Sequence, residues 1–165
     1  MHLTAVSELP VEKAEERASI VKFFSKTFKF TTEKRLELYN ITSIVADIVK
    51  EFKIKEGFIN IGTLHTTTAM FVNEFQKALL DDIKVFMSKI INPEEAWKHN
   101  CPDCSDCDRK NADSHLRALL FGHNLQIPIV NGNLALGQWQ SIILAELDGP
   151  RERTLTAHLF GAASA

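Results

Sequence analysis

A chain of 165 residues with 45% hydrophobic and 24% charged side chains has the size and composition of one folded domain, which excludes intrinsic disorder and leaves no room for a second full domain. Its 19 basic residues against 21 acidic ones give a net charge of −2, so no cationic field is available to hold a nucleic-acid backbone. Apolar runs such as 142–144 and 118–121 fall far short of the ~20 residues a bilayer crossing needs.

No cationic start followed by an apolar block occurs in residues 1–10, so the expected setting is a reducing cytoplasm without membrane contact. Residues 1–24 read as an N-terminal extension, with a short helix over 11–24. From Ser25 the pattern changes, and residues 25–165 read as the domain. Phe28 and Phe30 alternate with Lys29 and Thr31, the period-two sign of a half-buried strand; Leu36 and Leu38 repeat it, which predicts a hairpin through 31–34. Asn40 caps a predicted helix whose apolar positions Ile41, Ile44, Val45, Ile48, Val49 and Phe52 follow helical spacing up to Gly57. Residues 58–64 and 66–73 are rich in Phe, Ile, Thr and Val and read as strands. Helical period returns over 76–91, with Leu79, Ile83, Phe86 and Ile90 on one stripe, and Asn92-Pro93 stops it.

Residues 94–110 form a polar loop that holds all three cysteines, which in a reducing compartment argue against a disulfide framework. Asp113 or Ser114 caps a short helix over 115–121, closed by Gly122. Strands then cover 125–130, 134–147 after an Asn131-Gly132 turn, and 153–160 after Asp148-Gly149-Pro150. The expectation is a single α+β domain, a largely antiparallel β-sandwich with two or three helices. Glycine-rich phosphate loops are absent.

Several residues carry chemistry. His65 stands at the mouth of a Thr-rich strand, where it either binds a metal, shuttles a proton or lies half-buried beside hydroxyls. His115 falls in a first helical turn, where the helix dipole keeps imidazole neutral; it serves as a ligand or electrophile, or it simply packs. With His99 from the loop, three histidines converging on one divalent ion would leave a position open, as catalytic zinc does. Cys101, Cys104 and Cys107 with His99 offer a competing thiolate site. Period-two parity along 138–147 puts Gln140 and Glu146 at two ends of an apolar patch, suited to a pocket lip or an intersubunit network. Arg151 and Arg153 either clamp a phosphate or carboxylate or flank a solvated turn.

Taken together, these motifs resemble the YjbQ-like family of uncharacterised small proteins, often labelled secondary thiamine-phosphate synthases, from about Ser25 to Gly161. The resemblance rests on His65-Thr66-Thr67 followed by Asn73-Glu74, Asp82, Trp97-Lys98-His99, the 111–115 run and Gly122. Gly137 with Trp139-Gln140, Glu146, Asp148-Gly149-Pro150-Arg151 and Arg153 complete it. The chain departs from the family pattern at Gln138, at Phe75-Gln76-Lys77-Ala78 and in the enlarged cysteine segment. The resemblance implies an α+β homotrimer whose polar pocket holds a divalent metal, zinc or magnesium, on His65, His99 and His115. It implies catalytic roles for His65, His115, Asn73, Glu74 and Glu146, and substrate binding by Gln140, Arg151 and Arg153. The expected activity is that of a metal-dependent transferase or hydrolase on a phosphorylated small molecule, such as joining an aminopyrimidine diphosphate to a thiazole phosphate. The alternative is a trimeric small-molecule or metal-binding protein without catalysis.

Overall fold

The computed structural model describes residues 21–163, and among them eight strands and three α-helices fold into a single α+β domain. Strand β1 (Val21–Thr31) runs antiparallel to β8 (Glu152–Ala163), which pairs with β3 (Ile54–Thr63), then β5 (Asn124–Val130) and the short β6 (Asn133–Leu134). A second antiparallel sheet has the order β2 (Glu37–Asn40), β7 (Ser141–Glu146), β4 (Thr68–Asn73). Helices α1 (Thr42–Phe52), α2 (Lys77–Ile90) and α3 (Ala112–Phe121) complete the domain. No helix among the described residues is long and apolar enough to cross a membrane.

Period-two alternation sets up two apolar layers. Ile59, Ile61, Ile127, Ile129, Leu155, Ala157 and Leu159 of the larger sheet meet Val45, Ile48 and Val49 of α1 and Met70, Ile142 and Leu144 of the smaller sheet. The opposite face of the smaller sheet carries Ala69, Ile143 and Ala145 against Leu80 and Met87 of α2 and Ala118 of α3. Central strand β7 is therefore buried on both faces.

The structure differs from the sequence reading in several local places. Residues 21–24 belong to β1 rather than to a helix, so the domain begins before Ser25; the rest of the predicted 11–24 helix lies outside the described residues. The segments on either side of 31–34 do not pair as a hairpin, because β1 joins β8 in one sheet and β2 joins β7 in the other. Buried Leu80 and Met87 set the inner face of α2, while Phe86 and Ile90 of the predicted stripe are exposed. Helix α3 starts three residues earlier than expected, and Asp113 is not its cap: its carboxylate pairs with Arg117 one turn on, at 2.9 Å. The predicted 134–147 strand is broken by a turn closed by Gln140 N–H to the Gly137 carbonyl, which removes Gln138 and Trp139 from any strand parity.

Candidate functional site

His65 sits in the turn linking β3 of one sheet to β4 of the other, not on a strand. The Thr154 backbone N–H donates to its Nε2 at 2.7 Å, so the neutral ring carries its proton on Nδ1. Protonating Nε2 would set two N–H groups against each other. Its pKa lies below the ordinary imidazole value because burial penalises the cation, and the Arg153 guanidinium adds to this against the opposing pull of Glu146.

His115 lies one turn into α3. The end of that helix is fastened to the sheets by the Met70 N–H bonding the Gly122 carbonyl and the Thr63 N–H bonding the His123 carbonyl. These bonds bring helix and turn together around one open cleft of about 510 Å³, lined by Thr63, Leu64, His65, Thr68, His115 and Leu119 among others. His123 joins the wall as well. Burial holds His115 below the usual imidazole range; nearby His99 lowers it further, while Asp148 and Asp113 raise it. At this cleft the neutral His65 ring offers a donor at Nδ1, and the neutral His115 ring can accept a proton.

His99 enters from the loop's single 3₁₀ turn (Lys98–Asn100). Its ring meets that of His115 edge-on, 5.1 Å between centroids, and the two share an adjoining cleft with Trp97. His99 and His115 are thus the two imidazoles of the expected set that meet. His65 does not complete a triad, since its Nε2 lone pair is engaged and its Nδ1 offers a hydrogen; among the described residues no three His, Cys, Asp or Glu gather around a point.

The remaining expected residues separate. Glu146 and Arg153 do not line the cleft: both are fully buried and paired with each other, linking the two sheets beneath His65. Thr32 Oγ1 and the Asp148 N–H also donate to the Glu146 carboxylate, and Arg153 Nη2 reaches Thr67 Oγ1 at 3.2 Å. Asn73 and Gln140 stand at the other end of β4 and β7, because Thr68 faces Glu146 in register whereas Asn73 faces Ser141. That separation is roughly 17 Å along the strand, and Glu74 follows at the same far end. Arg151 stays near the site through Asp148, 3.4 Å away. Cys101 and Cys104 form a disulfide, contrary to the expectation of free thiols, and Cys107 instead approaches Asn111 Oδ1.

Sequence reading missed Arg109, which donates to Asp148 at 3.1 Å, and the apolar rim of the cleft. Leu119 was detectable as the i+4 neighbour of His115 on one helix face. Thr154 carried no signal, because it contributes only its backbone.

A family model described as "UPF0047 protein YjbQ-like" matches residues 26–162. The chain belongs to the YjbQ-like family. A UPF0047 protein of Methanothermobacter thermautotrophicus is 37% identical over 141 residues, 86% of this chain and 94% of that protein. One from Archaeoglobus fulgidus is 41% identical over 122 residues, 74% and 90% of the two chains. Among solved structures, a YjbQ-like protein of unknown function from Sulfolobus solfataricus superposes with a TM-score of 0.78 at 36% identity, covering 86% of this chain and 99% of its own. A hypothetical protein from Aeropyrum pernix gives 0.76 at 36% identity, with 84% and 98% covered. These YjbQ-like relatives support the fold, and their names assign no activity.

Proposed function

We propose that this YjbQ-like protein is an enzyme acting on a small phosphorylated molecule in the cleft between the 64–67 turn and α3. The carrying observation is that His65 and His115, distant in sequence, line one cavity with both pKa values lowered. His115 serves as the proton acceptor. His65, fixed by the Thr154 amide, serves as a neutral donor through Nδ1 toward negative charge that develops on the ligand. The Leu64, Leu116 and Leu119 wall favours a ligand with an apolar or aromatic part. Joining an aminopyrimidine-methyl diphosphate to a thiazole phosphate draws on the donor alone: the ring nitrogen attacks the methylene carbon, diphosphate leaves with the C–O bonding pair, and the His65 Nδ1–H stabilises its charge, whereas His115 accepts a proton where the attacking group carries one, as water does in phosphomonoester hydrolysis.

The test is turnover of that substrate pair and of a panel of phosphomonoesters. His65→Ala and His115→Ala should each lower kcat by at least about 100-fold in a folded protein. Unchanged turnover in His65→Ala rejects the assignment. The rate should be level above about pH 6.5 and fall below it, as His115 gains a proton.

A homotrimer is part of the same proposal. Leu64 and Leu119 at the cleft are 65% and 79% exposed in the single chain, and Trp139 at the far end is 66% exposed. A head-to-tail contact closing into a ring would bury such patches, and would carry Asn73, Glu74 and Gln140 of one copy toward the cleft of the next. The second reading is a trimeric binding protein whose motif residues build contacts without catalysis; those same exposed apolar residues favour it.

A further inference from the structure

Asp148, just after β7, is buried, yet its Oδ2 is crowded with donors. Asn111 Nδ2 lies at 2.8 Å, Arg109 Nε at 3.1 Å and Arg151 Nη2 at 3.4 Å. Both arginines keep an exposed side, 47% and 33% of their side chains. Two guanidiniums sharing one carboxylate leave a positive charge unmatched. Arg151 Nη2 is itself shielded from solvent and makes no hydrogen bond of acceptable geometry. Arg35 stands close by: its Nη2 reaches the Lys110 carbonyl and lies 3.6 Å from Asp113, a carboxylate already paired with Arg117. Four guanidiniums thus surround two carboxylates. Nearby acids do not cancel the excess, since Glu146 is paired with Arg153, and Asp106 and Asp108 line a different cleft with Lys110.

The cluster is tied to the histidine cleft through α3. Asn111, which holds Asp148, precedes His115 by one helical turn, and the His115 N–H bonds the Asn111 carbonyl. We propose that Arg109 and Arg151, with Arg35 on their Lys110 side, form an oxyanion subsite beside the histidine cleft, one helical turn from His115, for the phosphoryl group of its ligand. This rests on reading that cleft as the ligand site. Guanidinium forks offer paired N–H donors to a tetrahedral oxyanion, and the excess of cations favours a dianionic phosphate over a monocarboxylate. Arg109 comes from the cysteine-bearing loop, so that segment supplies half of the clamp.

The test titrates the full chain with inorganic phosphate, and separately with acetate, at low ionic strength, following heat and the His115 ring signal by NMR. Saturable phosphate binding is expected, with acetate at least about tenfold weaker. Arg109→Ala and Arg151→Ala should each raise the phosphate Kd about tenfold or more, Arg109→Lys should recover part of the loss, and Lys50→Ala on α1 should change nothing. Phosphate binding at the wild-type Kd by the double alanine variant, shown to be folded by its Tm, overturns the proposal. So does equal affinity for acetate, or no phosphate binding by the wild type. His65→Asn and His115→Asn separate the two claims. Loss of turnover in these variants with phosphate affinity retained supports both, whereas phosphate affinity retained with no substrate ever turned over rejects catalysis and leaves the subsite standing.

Discussion

His65 takes the Thr154 amide proton on Nε2, and that one bond fixes which end of the ring faces a ligand. A divalent ion bound by the protein is therefore expected to depend on His99 and His115 and to survive His65→Ala; zinc content of the purified variants checks this. Both His65 and His115 titrate below the ordinary imidazole value of 6.5 when folded, mainly through burial. As pH falls below that value the unfolded chain takes up protons first. The contribution of these rings to stability is whole above about pH 6.5 and shrinks as pH drops through their folded pKa values. Urea denaturation across pH 5 to 8 should show a shallower acid decline in His65→Asn than in the wild type. The buried Glu146–Arg153 pair is a structural demand of a different kind. Removing one partner, as in Arg153→Met, leaves an unmatched charge between the sheets and should destabilise by about 3–5 kcal/mol, with part of the loss recovered when Glu146 is also replaced by Gln.

Elements were legible wherever a period ran uninterrupted. Ile41 to Phe52 gave α1 almost to the residue, although the N-cap is Ile41 rather than Asn40, which ends β2 and accepts the Thr42 N–H at 3.0 Å from there. The turn at Asn131-Gly132 also stands, with both residues at positive φ. Pairing was not legible, because alternation says which side of a strand is apolar and nothing about which sheet it joins; hence β1 and β2, neighbours in sequence, lie in different layers. The choice of buried face on α2 has a similar cause: its sequence carries apolar residues on two faces, and packing against the smaller sheet and α3 decides which is buried. One backbone detail does leave a mark in the sequence. Gly57 and Gly161 oppose each other across β3 and β8, and a Cβ at Gly57 would meet the Phe160 carbonyl oxygen at 2.1 Å, with φ at 152°. Gly57→Ala should lower unfolding free energy by about 1–3 kcal/mol, measured by chemical denaturation, since strand backbones have no room to part.

At the scale of the molecule, the motifs that mark the family fall at two ends of the smaller sheet. His65, His115, Asp148 and Arg151 gather at one; Asn73, Glu74 and Gln140 stand at the other. Sequence order could not show this split, since strand ends far apart in space are close in the chain. The trimer proposal expects light scattering to give about three times the 18.6 kDa chain mass, and Trp139→Ala to shift the protein toward monomer. A monomeric wild type would remove it and confine the site to the histidine end.

Strand β7 has a consequence for how the polypeptide is made. Its Ile142, Ile143, Leu144 and Ala145 find cover on both sides only when the whole domain has closed, and Glu146 gains its counter-charge from Arg153 in the last strand. Until β8 has joined, this greasy ribbon has one lone carboxylate to discourage its sticking to other unfolded chains. Truncation before residue 152 should therefore yield an insoluble product that clumps, rather than a smaller soluble domain.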